Sequence, residues 1–243
     1  MRAFKLSDSH CHLHAMEEEA RKYEDMLIVA VSEDLPTSRK TTELAGTLNN
    51  VIPCIGLHPW KVARKGTGWI KELEKLIDLG AKCVGEIGLD KVFYPKTYEE
   101  QLSAFKAQVK LAKEYGLPVN LHALGAWREV LDILMKEDIE RAVIHWYVGP
   151  IDLIEEIREA GYFLSVNPII EVEEAHKAAV KKADIEMLLT ESDAPYEYKG
   201  IKLRPEKVKE SIGAIASLKG ISEEEVTQKV LENLKRYLGS RLL

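Results

Sequence analysis

The strongest constraint in this sequence is an alternation repeated along its length: short apolar runs, each followed by a segment whose apolar residues fall at helical spacing. Eight runs read as strands: "FKLSDSH", "MLIVAVS", "VIPCIGLH", "CVGEIGLD", "PVNLHA", "RAVIHWY", "YFLSVNP" and "MLLTESDA". Between them Leu73, Leu76 and Ile77 share a helix face, as do Leu102, Phe105, Val109 and Ala112, then Val130, Leu131 and Leu134, then Ile154 and Ile157. Strands alternating with helices form a parallel sheet, and eight of them favour an α/β fold of the (β/α)8 TIM barrel type over an open doubly wound sheet. No GxGxxG follows the first strand, as a dinucleotide-binding fold would require.

The length of 243 residues is close to that of one such barrel, and no repeat or Pro/Gly/Ser linker divides it, so residues 1–243 are expected to form one domain. A helix with Val208, Ile212, Ile215 and Leu218, then "ISEEEVTQKVLENLKRYLG" with a Ser222/Glu225 capping box, should complete the outer layer. No stretch approaches the roughly 18 apolar residues that cross a bilayer, and the opening lacks the apolar middle of a secretory signal; the expectation is a cytoplasmic protein without membrane contact. Cys11, Cys54 and Cys83 show no CxxC spacing and are read as buried reduced thiols. A net charge of -6 excludes a general basic surface for nucleic acid, so any polyanion must be held by local cations.

A barrel gathers its chemistry at the carboxyl ends of its strands. There stand His10 and His12 on strand one, His58 on three, Glu86 on four, His122 on five, His145 on six, Asn167 on seven and Asp193 on eight. Residues i and i+2 of a strand share a face, so His10 and His12 can offer two imidazoles to one ion. With Glu86, His122, His145 and Asp193 they make six N and O ligands, more than one tetrahedral ion needs, whereas two ions bridged by a carboxylate would use the set. Imidazole-rich ligation suits zinc, manganese, cobalt, nickel or iron better than magnesium or calcium.

In order along the chain, "DSHCHL" (8–13), "GLHPW" (56–60), "GEIGLD" (85–90), "QLSAFKAQVKLAKEYGLPVNLHA" (101–123), "HWYVG" (145–149), "TESDAPY" (190–196) and the closing helix resemble the TatD-like family of metal-dependent deoxyribonucleases, within the amidohydrolase-like barrels. The resemblance implies two divalent metal ions: His10, His12, Glu86 and Asp193 around one, Glu86, His122 and His145 around the other, with Glu86 bridging. It also implies a hydrolase of phosphodiesters at DNA ends. Two segments depart from the family pattern: "HALGAW" lacks the Ser-Arg that usually follows the fifth-strand histidine, and "HWYVG" replaces Cys-Phe-Ser-Gly. Loss of the arginine removes the natural fork for a phosphate. It leaves open a runner-up activity on a small-molecule amide, ester or lactone. Lys91, Arg128, Lys199, Lys202 and Arg204 are the possible local substitutes, with Arg204 first among them.

Asp193 is the expected proton acceptor as well as a ligand. Asp8 is expected to orient a ligand histidine from behind. His58 is either a substrate contact or a packing residue. His14 reads as a solvated loop residue and His176 as a surface one. Trp60, Trp127, Trp146 and Tyr147 either stack a base or anchor the core.

Overall fold

A computed structural model of the chain describes residues 4–64 and 68–239. Eight parallel strands follow one another around a single sheet in the order of the chain: β1 (Leu6–Cys11), β2 (Met26–Ala30), β3 (Val51–Ile55), β4 (Cys83–Gly88), β5 (Val119–His122), β6 (Ala142–Ile144), β7 (Phe163–Val166) and β8 (Leu188–Thr190). The helices between and after them are α1 (Leu35–Thr47), α2 (Trp69–Asp78), α3 (Tyr98–Tyr115), α4 (Trp127–Lys136), α5 (Leu153–Glu159), α6 (Glu174–Lys182), α7 (Val208–Lys219) and α8 (Glu223–Leu238). This is the expected (β/α)8 barrel, with one departure: β1 is followed by 3-10 turns (Glu17–Tyr23) in place of an α-helix.

The seam between β8 and β1 is closed largely through side chains. Thr190 donates its hydroxyl to the Ser7 carbonyl at 2.7 Å, and Asp8 accepts from the Ser192 amide at 3.0 Å and the Ser192 hydroxyl at 2.6 Å. Above these, the Asp193 amide donates to the His10 carbonyl and the His12 amide to the Ala194 carbonyl, at 2.9 and 2.8 Å. The last two bonds place the end of strand one against the segment carrying Asp193.

Alternation along each strand divides the core. Leu27 and Val29 pack with Ile52, Val143 and Leu189, while Met26, Ile28 and Ala30 pack with Leu44 and Leu48 around α1. The predicted helix faces are buried as expected: Leu73, Leu131 and Leu134 are fully enclosed, each stabilising the fold by about 1.5–3 kcal/mol. The end of α8 does more than complete the outer layer. Tyr237 stacks edge-on to Phe163 and meets Cys83 Sγ at 3.1 Å, and these are the first residues of β7 and β4, so α8 plugs the amino-terminal end of the barrel. The opposite end is left for the loops that carry the polar residues.

The thiol expectation is corrected in part. Cys54 and Cys83 are in-register neighbours on β3 and β4 and are joined as a disulfide, whereas Cys11 is a buried free thiol. Spacing along the chain did not reveal the pair because the two cysteines meet only through strand pairing. Among the described residues no helix is long and apolar enough to cross a membrane.

Candidate metal centre

The segment "GEIG" positions the centre. A Cβ on Gly85 would lie 2.6 Å from Asn120 Cβ, and one on Gly88, whose φ is +143°, would lie 1.8 Å from the His122 carbonyl oxygen. Only glycine lets β4 lie this close to β5, and the approach brings Glu86 beside His122. Asp193 and Trp146 follow β8 and β6 with φ of +53° and +42°, a left-handed backbone uncommon for such residues and concentrated at functional sites.

All six expected ligands converge, and Glu86 stands between two groups of them. Its Oε2 lies 3.4 Å from His10 Nε2 and 3.4 Å from His12 Nε2, while Asp193 Oδ1 lies 3.6 and 3.4 Å from the same two nitrogens. Its Oε1 lies 3.0 Å from His145 Nε2 and 3.1 Å from His122 Nδ1, which are 3.4 Å apart. In this first group each carboxylate oxygen lies 3.4–3.6 Å from both imidazole nitrogens, close to the edge of about 3.4 Å in a tetrahedron of ligands about 2.1 Å from its centre.

Proton positions support the same reading. Asn120 donates its amide to the Ser9 carbonyl at 2.8 Å, which leaves its oxygen to face His10 Nδ1 at 2.7 Å. His10 therefore carries its hydrogen on Nδ1, and its buried Nε2, which has no hydrogen-bond partner, turns a lone pair toward two carboxylate oxygens. His122 directs Nε2 at Asp90 Oδ2, 2.9 Å away, leaving Nδ1 bare toward Glu86. Asp90 is itself held by Trp60 Nε1 at 2.6 Å and by the amides of Val92 and Phe93 at 2.8 and 2.7 Å. On its other side His145 turns Nδ1 toward Glu191 at 3.7 Å, and Glu191 is bonded by Ser165 and Asn167. Acceptors facing acceptors in a buried site require a cation, and imidazoles oriented from behind by carboxylates or amides are the usual support of a metal.

A proton is the competing cation. Burial pushes the His12 pKa down, but the bonds to Asp193 and Glu86 carry it up to about 10. Burial pushes Glu86 up, but the imidazoles of His58, His145 and His10 outweigh it and hold the carboxyl well below its usual range. Burial lowers and the Glu86 and Glu191 charges raise His145, which ends well above an ordinary histidine. A negative pocket that draws protons so strongly fits a divalent ion.

His58 is placed by its bonds. Its Nδ1 accepts from the Trp60 amide at 3.2 Å, so Nε2 donates to Glu86 Oε1 at 3.1 Å. It braces the Glu86 carboxylate, and burial lowers its pKa, consistent with a neutral ring.

Other expectations are corrected. Asp8 touches His10 through the main-chain amide at 3.1 Å, not the ring; Asn120 orients the ring, and Asp8 closes the barrel seam instead. Arg204 is turned to Glu19, 3.1 Å away, and is not among the residues lining the cleft. His14 is buried, with Nδ1 on the Val31 carbonyl at 3.2 Å and Nε2 3.8 Å from Glu33. It forms with His12 and Glu33 a further group of ligand-type atoms. His176 is buried between the Asn167 amide and the Tyr147 carbonyl, and Tyr147 is a core residue whose hydroxyl donates to the Pro150 carbonyl.

Sequence reading missed Asn120, Asp90 and Glu191. A signal existed for each: Asn120 precedes His122 by two on one strand, and Asp90 and Glu191 lie within segments already singled out.

Above the ligands opens a cleft of about 470 Å³ whose rings are Trp60, Phe93, Trp127, Trp146, Tyr196 and Tyr198. No lysine or arginine is among the described lining residues.

Comparison with known proteins gives a consistent family. A family model described as TatD related DNase matches residues 7–239. A metal-dependent hydrolase of Methanocaldococcus jannaschii is 32% identical over 260 residues, covering 100% of both chains. Human deoxyribonuclease TATDN3 is 30% identical, over 94% of this chain and 92% of that protein. The crystal structure of a TatD homolog from Escherichia coli K12 superposes with a TM-score of 0.87 at 25% identity, over 97% of this chain and 98% of that one.

Proposed function

The chain belongs to the family of TatD-related DNases, and from that premise we propose that it hydrolyses phosphodiester bonds at single-stranded DNA ends with two divalent metal ions. The observation that carries this reading is Glu86, whose two oxygens face two separate sets of ligand atoms. His10, His12, Glu86 Oε2 and Asp193 would hold one ion; Glu86 Oε1, His122 and His145 would hold the other. Bound there, the ions supply an acidified water and a polarised phosphoryl group. Zinc, manganese, cobalt or nickel suits the imidazoles better than magnesium.

The remaining work falls to the chain's own groups. Asp193 would take the proton of an attacking water and return it to the leaving oxygen; the support for this role is that it lines the cleft and faces both His10 and His12. His58 keeps Glu86 in place, Asn120 and Asp90 hold the rings of His10 and His122 through hydrogen bonds, and the Glu191 charge faces His145 Nδ1 from 3.7 Å.

A second reading, hydrolysis of a carboxylic ester, amide or lactone, draws on the lack of lysine and arginine among the described cleft residues. Protein reconstituted with Mn, Zn, Mg or Co and assayed on labelled single-stranded DNA, a bis-aryl phosphate and an aryl ester separates the two, with Glu86→Ala as control. Metal-dependent DNA cleavage is expected. Ester turnover with every phosphodiester left intact would replace the first reading by the second.

A further inference from the structure

We propose that the cleft recognises its substrate through the aromatic faces of one or two terminal nucleotides and takes no binding energy from phosphates further along a strand. The inference rests on the phosphodiesterase reading and narrows its substrate class to short, unpaired ends.

Three observations carry it. The first is size: about 470 Å³ is the volume of a small-molecule site, not of a groove that follows a polymer. The second is the walls. In one cluster Trp60 stacks on Tyr94 at 5.2 Å and meets Phe93 edge-on at 5.8 Å; in a second Trp146 meets Tyr198 at 5.2 Å and Tyr196 at 6.1 Å. Phe93 and Tyr196 are 63% and 45% exposed, large rings of the cleft lining left in water. Every base has a face to stack on such rings, so this recognition needs neither a particular sequence nor a charge.

The third is charge. Four of the five cations available to replace the family's arginine are engaged with carboxylates: Lys91 with Glu129 at 2.9 Å, Arg128 with Glu156 at 2.6 Å, Lys199 with Glu173 at 3.1 Å, and Arg204 with Glu19 at 3.1 Å. Each pair cancels the field that would draw a phosphate, and Glu33 adds a carboxylate to the lining itself. Along the described cleft lining a strand therefore meets carboxylates and no lysine or arginine, and only the scissile phosphate, at the ligand cluster, is attracted.

The test uses full-length protein loaded with manganese, acting on thymidine 5′-(p-nitrophenyl phosphate), a dinucleotide, a pentamer and a 20-mer. Expected are kcat/KM values per end that differ by less than about threefold from dinucleotide to 20-mer, with a log–log salt slope no steeper than about -0.7, the value for one phosphate. Trp146→Ala should raise KM about tenfold on all of them, and Lys91→Gln with Lys199→Gln should change nothing. Efficiency rising more than about tenfold with length, a slope near about -3, or loss of activity in the lysine variant would overturn the proposal while leaving the phosphodiesterase reading intact. If no phosphodiester is cleaved, that reading fails, and tryptophan fluorescence of metal-free protein decides the proposal separately. Quenching by thymidine but not by deoxyribose 5-phosphate, abolished in Trp146→Phe, supports recognition of the ring; no quenching by thymidine overturns it.

Discussion

Asn120 and His10, 110 residues apart, meet through a 2.7 Å hydrogen bond that decides which nitrogen of the imidazole faces Glu86. Because the Asn120 amide is committed to the Ser9 carbonyl, its oxygen is the end left for the ring. Asn120→Leu removes this restraint at similar volume and is expected to weaken metal binding by about 10–100-fold. Competition with a graded chelator measures it; affinity equal to the parent protein would show that the bond orients nothing.

Asp193→Asn should lower turnover by about 10²–10⁴-fold, the range for loss of a general base, while part of the metal remains bound. Elemental analysis and single-turnover kinetics on the same preparation separate the proton-transfer role from ligation. Full loss of metal in parallel with activity would reduce Asp193 to a ligand alone.

Burial lowers the pKa of His176 below 6.5, against the bond to the Tyr147 carbonyl, which raises it. The unfolded chain thus takes up a proton at this residue that the folded protein refuses, and stability falls as pH drops through 6.5 toward the folded pKa. Glutamine can keep both bonds, accepting from the Asn167 amide and donating to Tyr147, but does not titrate. Urea unfolding at about pH 8 and about pH 5 should show a smaller acid loss in His176→Gln than in the parent, and an unchanged acid limb would be the contrary outcome.

Gly88→Ala places a methyl group 1.8 Å from the His122 carbonyl oxygen at a φ of +143°. The strain should cost about 3 kcal/mol or separate β4 from β5, displacing Glu86 from His122. Thermal unfolding and metal content should fall together; a variant with parental stability would mean that the two strands can part without cost.

The barrel was legible because its information is local. Period-two and helical spacing mark each element within a few residues, and the neighbour-to-neighbour order of the strands follows from their alternation with helices. The convergence of the six candidate ligands was legible for the same reason: each stands at or just beyond the carboxyl end of its strand, or within it for Glu86, and that end of a barrel faces one space.

What the sequence by itself determined is therefore the architecture and the set of six polar residues that converge at one end of it. Tertiary structure decided everything that depends on pairs remote in the chain. It buried His14 and His176, which a polar neighbourhood had made look solvated, and turned Arg204 to Glu19. It also joined Cys54 to Cys83 and gave His10 and His122 the partners that set their faces. The physical reason is that ring orientation and charge pairing are settled by single contacts a few ångströms long, and no periodicity along a chain encodes which distant residue will stand at that distance.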